Sequence, residues 1–119
     1  MTGSFCLIVN PAAGGGRSLR ACPQATAALG RAGASWRVTE SASLDHARQL
    51  ADVAARRGEV VVAVGGDGLA GALAGVVAGV GGRYGIIPAG RGNDLARVLG
   101  IPAAPAGAAA VLTDRKSVV

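Results

Sequence analysis

The sequence predicts an α/β fold, a mostly parallel sheet with helices on both faces, and three observations carry that expectation. Strand-like apolar runs alternate with helix-like stripes four times along the chain. The runs Ser4–Asn10, Glu59–Val64 and Tyr84–Pro88 are apolar with little alternation, as strands covered on both faces must be. Glycine-rich turns follow three of the runs, after Asn10, Val64 and Pro88. Those are the strand ends at which such sheets bind their ligands.

Each element has its own justification. "SFCLIVN" is a buried strand ending on a polar residue, and "PAAGGGR" is a loop by its glycines. A helix follows over about residues 18–32, with Pro23 in its first turn or kinking it. "SWRVT", Ser35–Thr39, reads as a shorter strand. Ser43 is placed to cap the next helix, whose apolar residues Leu44, Ala47, Leu50, Ala51 and Ala54 recur at helical spacing. "EVVVAV" is the third strand, and Leu69, Leu73, Val76 and Val77 stripe the helix after it. "YGIIP" is the fourth. "AGRGND" is a turn, "DLARVLG" a short helix stopped by Gly100 and Pro102, and a last helix covers about 103–113. The expected organisation is one domain over 1–113, with 114–119 opening a further strand.

Composition narrows the function. The 119 residues suffice for one modest core, and half of them are apolar. Aromatic residues make up 3%, too few for the stacking platforms that bind single-stranded nucleic acid. The net charge is +5, and the arginines are scattered rather than gathered in a stripe. That argues against nucleic acid and leaves attraction to phosphates, on a nucleotide or an anionic membrane face. Cys6 and Cys22 lack metal-ligand or CxxC spacing, so two free thiols in a reducing cytoplasm are expected, with no metal site. No apolar run is long enough for a membrane span.

The glycine turns are the candidate chemistry. At Gly65-Gly66-Asp67-Gly68, bare backbone N–H groups at a helix start can receive a phosphate without Cβ clashes. Asp67 repels a phosphate, so its expected tasks are a Mg²⁺ bridging phosphates or a hydroxyl; the plain alternative is a helix cap. The Walker pattern is absent, because Lys116 is the only lysine. Gly66, Gly68 and Gly71 spell GxGxxG, but no acidic residue follows between Leu69 and Gly92, where a dinucleotide site needs one. Asn93-Asp94 is expected to cap the short helix. His46 and Glu40 are expected on the surface.

"VNPAAGGGR", "VGGDG" and "IIPAGRGNDLARVLGIP", in that order, resemble the diacylglycerol kinase catalytic domain, shared with sphingosine kinases and bacterial lipid kinases and more distantly with NAD kinases. The likeness runs through essentially the whole chain. It implies a Rossmann-like three-layer sandwich and transfer of the ATP γ-phosphoryl group to a lipid hydroxyl. It places Asn10, Pro11 and Thr39 on the nucleotide, Gly65, Gly66, Asp67 and Gly68 by its phosphates, and Gly90, Arg91, Gly92, Asn93 and Asp94 in a third loop. Mg²⁺ would arrive with ATP, and catalytic work within this chain would fall to Asp67. The family's second, β-rich domain would supply lipid contacts and the general base. Both are expected beyond Val119, with residues 114–119 as the hinge. The chain alone is then expected to bind ATP without turnover, in the cytoplasm or at the inner membrane face, and to be marginally stable or to self-associate. Two departures stand out: Leu69 where the family has Thr, with Gly71 and Ala72 where it has Asn-Glu, and Arg91 where it has Thr. Arg91 could offset Leu69 through charge-assisted contacts. The competing readings are a non-catalytic nucleotide- or partner-binding module and an NAD kinase-like enzyme.

Overall fold

The computed structural model describes residues 4–90 and 92–113. Arg91 and the expected hinge at 114–119, Val119 included, lie outside the described residues. The elements in order are β1 (Ser4–Val9), α1 (Arg17–Arg31), β2 (Ser35–Glu40), α2 (Leu44–Arg56), β3 (Val60–Gly65), α3 (Asp67–Gly79), β4 (Tyr84–Pro88), α4 (Asp94–Val98) and α5 (Pro105–Leu112). The four strands form one parallel sheet in the order β2-β1-β3-β4.

The layers follow from strand pleating, which sends alternate side chains to opposite faces. Leu7, Val9, Val62, Val64 and Ile87 face one side and pack with Ala25 and Leu29 of α1 and Ala108 and Leu112 of α5. Cys6, Ile8, Val61, Ala63 and Ile86 face the other and meet Ala47, Ala51 and Ala54 of α2 and Leu73 and Val77 of α3. The result is the expected three-layer α/β sandwich. The alanine stripe of α2 brings that helix close to the sheet, so any larger residue there would overpack it.

Local chemistry sets the helix ends. Ser43 caps α2 as expected: its hydroxyl accepts from the His46 N–H at 3.1 Å. His46 Nδ1 accepts from the Ala42 N–H at 2.9 Å, so this half-buried imidazole closes the same turn. Pro23 lies inside α1, in its second turn rather than its first. Leu44 departs from its predicted place on the α2 apolar stripe. It stands at the first helical position, 46% exposed, beyond the reach of the sheet.

Strand order opens a cleft. From β1 the chain crosses outward to β2 by α1, then returns past β1 to β3 by α2 on the opposite face. The helices after β1 and β3 therefore diverge, and a crevice opens above the carboxyl ends of these neighbouring strands. No described helix is long and apolar enough to cross a membrane.

Candidate functional site

A cavity of about 320 Å³ occupies that crevice. Asn10, Ala13, Gly14 and Gly15 come to it from the β1–α1 turn, Ser41, Ser43 and Leu44 from the β2–α2 turn. Gly65, Gly66, Gly68 and Leu69 come from β3–α3, and Gly90 from the loop after β4. The glycine turns thus share one cleft. Among the described residues its lining carries no ionisable side chain, so their polarity comes from backbone amides, Asn10 and two serines.

The β1–α1 turn is built from unusual backbone. Gly14, Gly15 and Gly16 have φ of 62°, 66° and 86°, the left-handed region that side chains resist. The Asn10 carboxamide oxygen accepts from the Ala12 N–H at 3.0 Å, holding the turn by an Asx-type bond. Pro11 is half-buried within it.

The β3–α3 turn meets a different constraint. A Cβ on Gly90 would lie 2.3 Å from the Gly66 Cα, closer than any real contact. The Ala89 N–H donates to the Gly65 carbonyl at 3.0 Å and the Asp67 N–H to the Gly92 carbonyl at 3.2 Å. Gly66 and Gly90 are bare because two loops cross there. Gly68 differs: a Cβ on it would meet nothing within 4 Å, so its face of the cavity is open.

Asp67 is engaged rather than free. Its carboxylate accepts from the Leu95 N–H at 2.9 Å and the Asp94 N–H at 3.1 Å, capping α4 from across the site. These two donors, Leu95 first, hold its carboxyl below the usual range. The cap expected from Asn93-Asp94 is overturned by this. Asn93 turns back instead, accepting from the Gly90 N–H at 3.2 Å and donating to the Gly90 carbonyl at 3.0 Å. It clamps its own loop because Asp67 already fills the cap.

Thr39 sits on β2 with its hydroxyl accepting from Arg37 Nη1 at 3.1 Å, and it does not line the cavity. Glu40 is exposed at the end of β2. The general base expected beyond Val119 falls outside the described residues, as Arg91 does. Among the described residues, no three His, Cys, Asp or Glu side chains gather to hold a metal. Asp67, with one hydrogen bond on each oxygen, keeps free lone pairs but is not joined by two further ligating side chains among the described residues, so these side chains alone do not build a Mg²⁺ site.

Two residues that sequence reasoning did not single out stand at the rim. Arg17 Nη1 donates to the Gly90 carbonyl at 3.4 Å, and Arg20 Nη1 to the Gly15 carbonyl at 3.2 Å. Their position just after a triple glycine at a strand end was the available signal. Ser41, Ser43 and Leu44 were missed as lining residues because their turn contains no glycine.

Comparison with known proteins agrees with this fold. The sequence matches the Diacylglycerol kinase catalytic domain over residues 4–119. The chain belongs to that family. Relatives named diacylglycerol kinase, from two strains of Mycobacterium tuberculosis, are 35% identical over 114 residues. The match covers 94% of this chain and 37% of theirs. A crystal structure described as a diacylglycerol kinase from Bacillus anthracis strain Sterne superposes with a TM-score of 0.74 at 28% identity. It covers 93% of this chain and 39% of that one. The chain therefore spans under two-fifths of the length of the family members it resembles.

Proposed function

We propose that this chain is the ATP-binding lobe of a lipid kinase, one that passes the γ-phosphoryl group to the hydroxyl of a diacylglycerol-like lipid. The observation that carries this reading is the meeting of Asn10, Gly66 and Gly90 in one cavity at the carboxyl end of a parallel sheet. Phosphoryl transfer needs positioning and charge stabilisation more than covalent chemistry, and oriented backbone amides provide the first part. The Mg²⁺ comes with the nucleotide. Asp67 then acts by fixing the two loops that flank the phosphates.

A base or positioning group for the attacking hydroxyl is also required. None of the described cavity-lining residues has a suitable side chain. The reading assigns that group and the lipid contacts to the remaining length found in the relatives. The chain alone then binds ATP without turnover, in the cytoplasm, and the complete enzyme works at the inner membrane face. Leu69 favours a second reading, a non-catalytic module: it is 9% exposed, packs into the core and offers no hydroxyl to a phosphate.

Calorimetric titration with ATP and NAD, followed by labelled phosphoryl transfer to diacylglycerol with and without the carboxyl-terminal remainder of a relative, tests these readings. ATP binding with transfer restored by the remainder is the expected result. ATP binding with no transfer in either case selects the non-catalytic module. Preference for NAD over ATP defeats both.

A further inference from the structure

The two edges of the sheet are finished differently. β4, at one edge, is buried along its whole length. Leu112 of α5 lies against Gly85, and the Tyr84 hydroxyl donates to the Ala70 carbonyl of α3. β2, at the other edge, is exposed or half-buried at every residue. Among the described residues no strand pairs with its outer side.

β2 also lacks the usual guards of a free edge. It holds no proline and no lysine, and it meets β1 residue for residue from Ser4–Ser35 to Val9–Glu40, without a bulge. Arg37 is turned inward: its Nε and Nη2 both donate to the Glu59 carboxylate at 2.8 Å, across β1. Glu40 is the last residue of the strand. Trp36 and Val38 share the α1 face with Phe5 and Leu7, yet stay 44% and 40% exposed.

The main chain shows which groups are free. The Ser41 N–H donates to the Val9 carbonyl at 2.8 Å. Ser41 and every second residue before it therefore point their main-chain groups at β1, and Trp36, Val38 and Glu40 point theirs outward. That row is self-complementary. A two-fold axis through Val38, perpendicular to the sheet, brings Val38 opposite the partner's Val38 and Trp36 opposite the partner's Glu40. Every outward N–H and C=O of the three then has a partner. Arg37 comes opposite the partner's Thr39, so no like charges stand face to face. An axis through Arg37 would oppose two guanidinium groups and carry Glu40 past the end of the partner strand.

We propose that β2 is a dimerisation edge whose occupant is β2 of a second copy of this chain, paired antiparallel about Val38. The two sheets become one, and Trp36 and Val38 of both copies form a single apolar stripe beside the α1 helices. The self-matching register favours a second copy over an unrelated strand. The inference is independent of the kinase reading.

Sedimentation of the whole chain over a concentration series tests it, and a monomer–dimer equilibrium is the expected result. Val38→Pro removes an outward N–H and no bond to β1, while Val38→Lys sets two cations at the axis. Each should weaken the dimer about tenfold or more, with circular dichroism showing a folded chain. Val98→Lys, on α4 where Val98 is 82% exposed, should leave it unchanged. Val38→Cys should be trapped as a covalent dimer by oxidised glutathione, because residues exchanging both main-chain bonds lie about 5.5 Å apart at Cα, within disulfide reach. The wild type, whose Cys6 and Cys22 are buried, should not be trapped. If the proline variant folds poorly, the lysine and cysteine variants carry the comparison. A chain that stays monomeric at every concentration overturns the proposal and leaves the edge to another partner. A dimer that survives both Val38→Pro and Val38→Lys, or one lost with Val98→Lys instead, overturns it by placing the interface elsewhere.

Discussion

The β1–α1 and β3–α3 turns look alike as letters, each a glycine cluster between a buried strand and a helix, yet their glycines answer different demands. In the first, Gly14, Gly15 and Gly16 are needed for backbone direction, and Gly15 has empty space around it. In the second, Gly66 has ordinary extended backbone and is needed because Gly90 presses against it. Glycine richness at a strand end thus marks either a shape the chain must adopt or a neighbour it must admit. Only the second makes one loop depend on another.

The contrast can be broken by substitution. Gly90→Ala should have the largest effect, because its Cβ would strike backbone that cannot step aside: a loss of about 3–5 kcal/mol in urea unfolding, or failure to fold. A loss under about 1 kcal/mol would show that the loops do not cross there.

Asp67 comes next, and its signature is pH. Its carboxyl titrates below the ordinary 3.8 in the folded chain, because the Leu95 and Asp94 amides stabilise the charged form. Its contribution is therefore complete above 3.8 and fades as pH falls through the lower folded value. Asp67→Asn should cost stability at neutral pH and flatten the acid limb of the unfolding profile. An unchanged acid limb would detach Asp67 from α4.

Gly15→Ala should cost about 1–2 kcal/mol, from left-handed strain alone. Gly68→Ala, in α3 with open space around it, should be neutral or stabilising by up to about 1 kcal/mol, as helix propensity favours alanine. Similar losses at both positions would erase the distinction between the two turns.

Legibility in the sequence follows the range of the forces involved. β1, β3 and β4 could be read because burial on both faces writes a continuous apolar run, whereas β2 lies exposed at the sheet edge and showed only as a short β-branched and aromatic stretch. Ser43 could be read because a cap acts within three residues. The cavity's existence could be read because strand ends in a parallel sheet fall on one rim. What Asp67 does could not: its partners lie 27 and 28 residues away, joined only by the fold. Asn93 was misjudged for the same reason, since a cap from outside freed it to clamp Gly90. Leu44 fits helical spacing on paper, but spacing does not tell how far the sheet extends beneath a helix's first turn. Thr39 and Arg37 share one strand face, and that pairing turns the hydroxyl to a neighbouring side chain.

The ties between the β3–α3 turn and the loop after β4 have a consequence for motion. Two main-chain bonds, a bidentate carboxylate and the Gly66–Gly90 contact join segments far apart in sequence. Neither can swing out without the other. In hydrogen–deuterium exchange the amides of Asp67, Ala89, Asp94 and Leu95 should therefore lose protection together, as one cooperative unit, while the Ala12 and Ala13 amides across the cleft exchange on their own schedule.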